Sequence, residues 1–180
     1  MVLPSIGNLT SLRAIDRPEL LAMPVAQALG AWQHASSVAV VEIDPAVADT
    51  TAMMAAFSLP ITAGANCVVV AGRRGGEERI AACVVRADTR TDVNTLVKRI
   101  LDVRKLSFLT MERAVQESAM EYGGITPLGL PASWRVLLDS AVPDMDVAII
   151  GSGVRRSKLL LAGKLLSELP GAEVIDGLGR

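Results

Sequence analysis

The residues best placed to do chemistry lie in two short segments. Tyr122-Gly-Gly-Ile-Thr-Pro-Leu-Gly-Leu-Pro131 is dense in backbone punctuation. Glycines let a ligand approach main-chain N–H and C=O groups closely, and Pro127 and Pro131 fix φ so that those groups are held in advance. Such a loop binds by shape and backbone hydrogen bonding; a tight structural turn has the same composition, and both readings stand. The second segment, Gly151-Ser-Gly-Val-Arg-Arg-Ser-Lys158, follows an apolar run. Free N–H groups with cations close behind suit phosphate, and an arginine can fix its direction through paired hydrogen bonds. A plain turn with exposed charges is the competing account.

Other chemistry is excluded or unsupported. His34 is the only histidine, so there is no second imidazole for a zinc site and no sequence support for a Ser-His-acid or Cys-His arrangement. The phosphate-loop pattern GxxxxGK[ST] is absent, and Gly151-Ser-Gly153 lacks the third glycine of the dinucleotide fingerprint. Cys67 and Cys83 sit in apolar runs and are expected to be inert buried thiols. No cationic stretch leads an apolar one at the N-terminus, and no apolar run approaches the roughly 20 residues that span a bilayer, so a cytoplasmic location without membrane contact is expected. A net charge of -1 argues against broad electrostatic capture of nucleic acid. The charge is nevertheless segregated: residues 1–62 and 107–146 are acid-rich, 73–106 and 147–180 base-rich.

The elements that must position these segments follow from periodicity. Residues 1–17 predict an irregular arm. Leu21, Val25, Leu29 and Trp32 share a helical face, with Pro24 at a kink or a fresh first turn. Val38–Ile43 reads as a strand, and Asp49 or Thr50 caps a short helix that places Met53, Ala56 and Phe57 inward. Residues 67–71 and 80–85 predict an antiparallel hairpin around Gly75-Gly76. Val93, Leu96, Val97, Ile100 and Leu101 predict a helix over 93–101, capped by Thr91 or Asp92. Thr110 opens a further helix with Met111, Ala114 and Val115 inward, ending near Tyr122-Gly123-Gly124. Residues 136–138 and 147–150 read as strands, and Leu165, Leu166 and Leu169 as the inner face of a last helix. With only 3% aromatic residues, the core must be aliphatic.

Four stretches resemble a known family: Ser107-Phe-Leu-Thr-Met-Glu112, Glu121-Tyr-Gly-Gly-Ile-Thr-Pro-Leu-Gly-Leu-Pro131, Val136-Leu-Leu-Asp139 and Gly151-Ser-Gly-Val-Arg-Arg-Ser-Lys158. The family is the YbaK/prolyl-tRNA synthetase-associated editing domain, also called the aminoacyl-tRNA deacylase family. The resemblance implies an α+β (mixed α/β) fold with a barrel-like mixed sheet and surrounding helices. It implies one domain over 1–180, with an editing core over about 35–178 and an N-terminal helical extension.

The implied activity is trans-acting hydrolysis of the ester of a mischarged tRNA, without cofactor, metal or protein nucleophile. The implied partners are the tRNA acceptor end or an aminoacyl-adenosine, with transient contact with an aminoacyl-tRNA synthetase. Gly123, Gly124, Thr126 and Pro127 would shape the pocket and position the substrate. Tyr122, Ile125, Leu128, Gly129, Asp139, Gly151, Ser152, Gly153, Arg155, Arg156 and Lys158 would contact it, and Met53, Met111 and Met120 are further candidates for its wall. Where the family usually carries a helper lysine, this chain has Asn66. That departure keeps a second reading open, a weak or inactive module that binds tRNA or nucleotide.

Overall fold

The computed structural model describes residues 2–180; Met1, the first residue of the predicted arm, lies outside them. Two open sheets carry the chain. The first has the order β1 (Leu12–Arg13), β2 (Ala39–Glu42), β8 (Ser157–Leu161), β7 (Ala148–Gly151) and is antiparallel throughout. The second has the order β5 (Leu106–Phe108), β3 (Ala65–Arg74), β4 (Glu77–Arg86), β6 (Arg135–Asp139), β9 (Ala172–Ile175), with β6 and β9 added in parallel. The mixed α/β expectation holds, but the barrel-like closure does not. Among the described residues neither sheet pairs its own edges, and only an isolated bridge, Gly64 to Ile149, joins one sheet to the other. Closure needs long, tilted edge strands; β1 and β5 have two and three residues.

The hairpin is as expected and longer. β3 and β4 pair from Ala65–Arg86 to Arg74–Glu77, and the two-residue turn puts Gly75 at φ +60° and Gly76 at φ +85°. The positive φ angles match the twist of the strands, and glycine adopts them without strain.

The core is aliphatic and shared between the sheets. Val84 and Leu138 of the second sheet meet Val40, Ile150, Leu159 and Leu161 of the first, closed over by α1 (Met23–Ala31). On the opposite face of the first sheet, Val41 and Leu160 pack with Met53 and Met54 of α2 (Thr50–Ala56). Each buried aliphatic side chain contributes roughly 1.5–3 kcal/mol.

Over 93–101 the chain is helical but not uniformly α. Val93–Val97 is a π-helical turn, with Val97 N–H donating to Asp92 C=O five residues back, and it runs into α3 (Lys98–Ile100). Asp92 caps it through Thr95 and Leu96 N–H. Val93, Val97 and Leu101 pack against Val70, Cys83 and Leu137 as predicted.

Two details of α4 (Met111–Ser118) differ from expectation. Met111 is exposed rather than inward, and the helix stops at Ser118. Ser118 Oγ donates back to Ala114 C=O and accepts from Met120 N–H, while Ala119 turns left-handed at φ +54°. Pro24 begins a fresh helix, since Pro18–Leu20 forms a separate 3-10 turn before α1. The last helix, α5 (Gly163–Leu166), is a single turn whose leucines are buried.

Candidate functional site

β5 pairs only Val70, Ala71 and Gly72 of β3, which leaves the start of β3 as an open edge. A cavity of about 530 Å³ runs along that edge. Asn66, Cys67, Val68 and Val69 form one wall, Asp49, Thr50 and Thr51 at the start of α2 another, and Gly151 and Lys158 of the first sheet the floor. Ile125 and Gly123 close it from the glycine-proline loop, and Arg155 flanks them. Three of the exposed large side chains of the molecule, Phe108, Met111 and Tyr122, stand around this cavity.

Lys158 is the unusual group. It occupies the central strand β8, paired with Val41 on one side and Gly151 on the other, and is only 5% exposed. Its Nζ donates to Gly123 C=O at 3.3 Å. Burial pushes its pKa down to about 8, with Asp49 acting against that shift and Arg155 adding to it. The site therefore holds an amine whose charge changes near working pH. On the facing wall Thr50 Oγ donates to Asn66 Oδ1 at 2.7 Å, which leaves the Asn66 NH2 as a donor in the cavity wall.

The loop is held by backbone contacts. Glu121 N–H donates to Gly153 C=O and Gly153 N–H to Gly124 C=O, both at 2.8 Å. A Cβ on Gly124 would lie 2.8 Å from both N and O of Val154, so only glycine allows the loop and the turn to lie this close. Gly123 sits at φ +82° and presents its carbonyl to Lys158. Glu121 Oε2 accepts from Arg155 N–H, and the Arg155 guanidinium donates to the carbonyls of Tyr122 and Pro45.

The expected site residues divide on this geometry. Asn66, Tyr122, Gly123, Ile125, Gly151, Arg155 and Lys158 converge on the cavity. Gly124, Ser152 and Gly153 support it from behind; Ser152 Oγ is tied to Ser157 Oγ at 2.7 Å. Thr126, Pro127 and Leu128 are buried, and the Thr126 hydroxyl has no partner among the described residues. Gly129 packs on the backbone of Pro24. Asp139 lies outside the cavity lining, where its carboxylate accepts from Ala141 and Gly179 N–H. Arg156 donates to Glu19 C=O and does not line the cavity.

Of the methionine candidates, Met111 lines the cavity, Met120 is buried in the shared core, and Met53 borders a separate void of about 10 Å³. Cys83 is buried, which pushes its thiol up to about 12; Cys67 is half-buried and reaches the cavity wall. His34 pairs with Glu168 at 2.7 Å. Among the described residues no cluster of metal-ligating side chains forms, and no helix is long and apolar enough to cross a membrane.

Sequence reasoning missed the acidic and hydroxylic start of α2, Phe108, and the placement of Lys158 inside the fold. The capping pattern at Asp49 located α2, but nothing local to it marks the neighbourhood of β3.

A family model for the aminoacyl-tRNA editing domain matches residues 44–169. The chain belongs to that family. The matched span contains every residue of the cavity, including α2, which the earlier half of the chain contributes. Among solved structures, this editing domain superposes on a protein provisionally assigned as a trans-editing enzyme for prolyl-tRNA synthetase, with a TM-score of 0.74, 21% identity, and 88% and 96% of the two chains covered. It also superposes on the hypothetical protein APE2540, with a TM-score of 0.71, 16% identity, and 86% and 95% covered. A scaffold protein used for epitope backbone grafting gives a TM-score of 0.74 at 20% identity, with 88% and 97% covered. At these identities the likeness establishes the fold. No curated protein sequence matches the chain.

Proposed function

We propose that this editing domain hydrolyses, in trans, the ester that joins an amino acid to the terminal ribose of a mischarged tRNA. The observation that carries the reading is the meeting of Lys158, the Asn66 amide and the Gly123 carbonyl in one cavity. The fold shared with the provisionally assigned trans-editing protein supports the substrate class.

The chemistry needs no protein nucleophile. Water adds to the ester carbonyl, the bond from carbonyl carbon to ribose oxygen breaks, and the ribose oxygen takes up a proton as the free amino acid leaves. Negative charge gathers on the carbonyl oxygen in the transition state. The Lys158 ammonium and the Asn66 NH2 are the donors available to meet it, and a preorganised donor contributes about 100-fold or more in such a step. Tyr122 and Phe108, exposed at the rim, offer faces on which the terminal base stacks.

Asn66 favours the alternative of a binding module, because an amide stands where the family usually carries charge. Lys158 weighs against it by supplying an amine to the same cavity. A panel of misacylated tRNAs tests the reading by release of amino acid above spontaneous hydrolysis. Release from at least one member, lost in Lys158→Met, is expected. Binding across the panel without release would select the module instead.

A further inference from the structure

The base-rich stretch 73–106 is not used by the cavity. It folds beside it, where a groove of about 730 Å³ lies between β5, the helical turn that carries Lys98, and the β3–β4 hairpin. Its charged lining is Arg73, Lys98, Arg104, Lys105 and Arg113 against a single carboxylate, Glu78. That carboxylate is already engaged: Arg113 holds it through two hydrogen bonds of 3.0 and 2.8 Å, and Arg73 approaches to 3.8 Å. Lys98, Arg104 and Lys105 have no acidic partner among the described residues, so the groove keeps an uncompensated positive potential.

The groove also adjoins the cavity. Phe108 and Leu109 line both, and Phe108 is 63% exposed at the boundary between them.

We infer that this groove docks the sugar-phosphate backbone of the RNA whose 3′ end enters the cavity. The inference rests on the proposed deacylase reading for the identity of that end, and on charge and on the shared wall at Phe108 and Leu109 for the surface. A polyanion seated on Lys98, Arg104 and Lys105 passes over Phe108 on its way into the cavity. The aromatic face there accepts a base from a single-stranded end by stacking, which needs no particular sequence. The three cations set affinity and salt dependence, while the cavity sets turnover.

The test compares wild type with the triple variant Lys98→Gln, Arg104→Gln, Lys105→Gln. Binding of uncharged tRNA is measured over a salt series, and the variant's thermal melting is checked for intact folding. At low salt the variant is expected to bind about 30-fold more weakly or worse, with the slope of log affinity against log salt reduced by about 2 to 3. Hydrolysis of an aminoacyl-adenosine substrate, which has no RNA body, stays at the wild-type rate. Equal affinity and slope in the two proteins overturn the inference. So does a wild type that fails to bind tRNA at low salt. Binding of poly-glutamate with the same dependence on the three side chains would give the groove to an acidic peptide and also overturn it. Because the binding arm uses uncharged tRNA, failure of the deacylase reading, with no amino acid released from any mischarged tRNA, leaves that arm readable and is told apart.

Discussion

Lys158 and the trio Lys98, Arg104 and Lys105 are cations within one neighbourhood, and their surroundings give them opposite tasks. Lys158 is buried on a central strand, tethered to Gly123 and pushed down toward neutrality. Arg104 and Lys105 are exposed and Lys98 half-buried, with no acid against them among the described residues. A charge in a dry site acts strongly over short distances and costs stability to keep there; an exposed one acts over about a Debye length and is screened by salt. The buried amine should therefore control the chemical step, and the more open trio should control capture of the substrate.

The largest effect that would break this comparison is on Lys158→Met. Turnover is expected to fall by about 100-fold or more with KM for tRNA nearly unchanged, the reverse of the groove variant. Stability should move the other way. The folded pKa of about 8 lies below lysine's ordinary value of 10.5, so the folded state carries the full desolvation penalty below pH 8 and loses it between pH 8 and 10.5, where the unfolded chain still binds the proton. Removing the amine at pH 7 is therefore expected to stabilise the fold, by up to roughly 3 kcal/mol. The gain should vanish as pH rises through that window, as read by denaturant melts at several pH values. Wild-type turnover, divided by spontaneous ester hydrolysis, should decline through about pH 8 as the ammonium is lost. A rise there would make the free amine the active form and remove the oxyanion role.

The two adjacent loop glycines sharpen the same contrast between holding the site and operating it. Gly124→Ala drives a Cβ to 2.8 Å from backbone atoms of Val154, which cannot retreat, so it should lower stability by about 3 kcal/mol. In Gly123→Ala the nearest atom is Nη1 at the far end of the Arg155 side chain, at 2.9 Å, and the cost is mainly the left-handed φ, about 1–2 kcal/mol. That variant should fold and lose about tenfold in turnover, because the carbonyl that anchors Lys158 moves. Equal turnover in Gly123→Ala and wild type would reduce the loop to a structural turn.

How far the sequence foretold this site depends on where each signal lies. The hairpin was legible because Gly75-Gly76 joins two β-type runs, and the helical face over 93–101 because its period is regular. Barrel closure was not, since it turns on how the short edge strands β1, β5 and β9 end, and such strands carry little pattern. In the sequence Lys158 looks like a turn cation after Arg155 and Arg156. Ser157-Lys-Leu-Leu-Leu161 shows no alternation, because both faces of a central strand are buried, and so it hid a strand with a lysine inside it. Asp139 and Leu128 came with the family motifs; in space one ties Ala141 and Gly179, and the other fills the core.

The smallest expected effect separates Arg155 from Arg156, neighbours that look alike in sequence. Arg155 is half-buried at the cavity, with its guanidinium spent on the carbonyls of Tyr122 and Pro45, so it stands between the buried and exposed classes of cation. Arg156 is exposed, lines neither the cavity nor the groove, and reaches back to Glu19 C=O. Both lie in the turn that precedes β8, and their hydrogen bonds part them: Arg155 reaches the carbonyls of Tyr122 and Pro45 beside the cavity, and Arg156 that of Glu19. Arg155→Ala frees Tyr122 at the rim and removes one positive charge from beside Lys158. It should raise KM for mischarged tRNA by about threefold to fivefold and let the pKa of Lys158 rise, since Arg155 lowers it. Arg156→Ala should leave both KM and the pH profile within about 1.5-fold of wild type, as surface changes away from a site do. Parallel pH–rate profiles of the two variants read this directly. A shift of equal size in both would mean that their charges act on the RNA through the long-range field, and the division between local and long-range cations would then fail at the edge of the cavity.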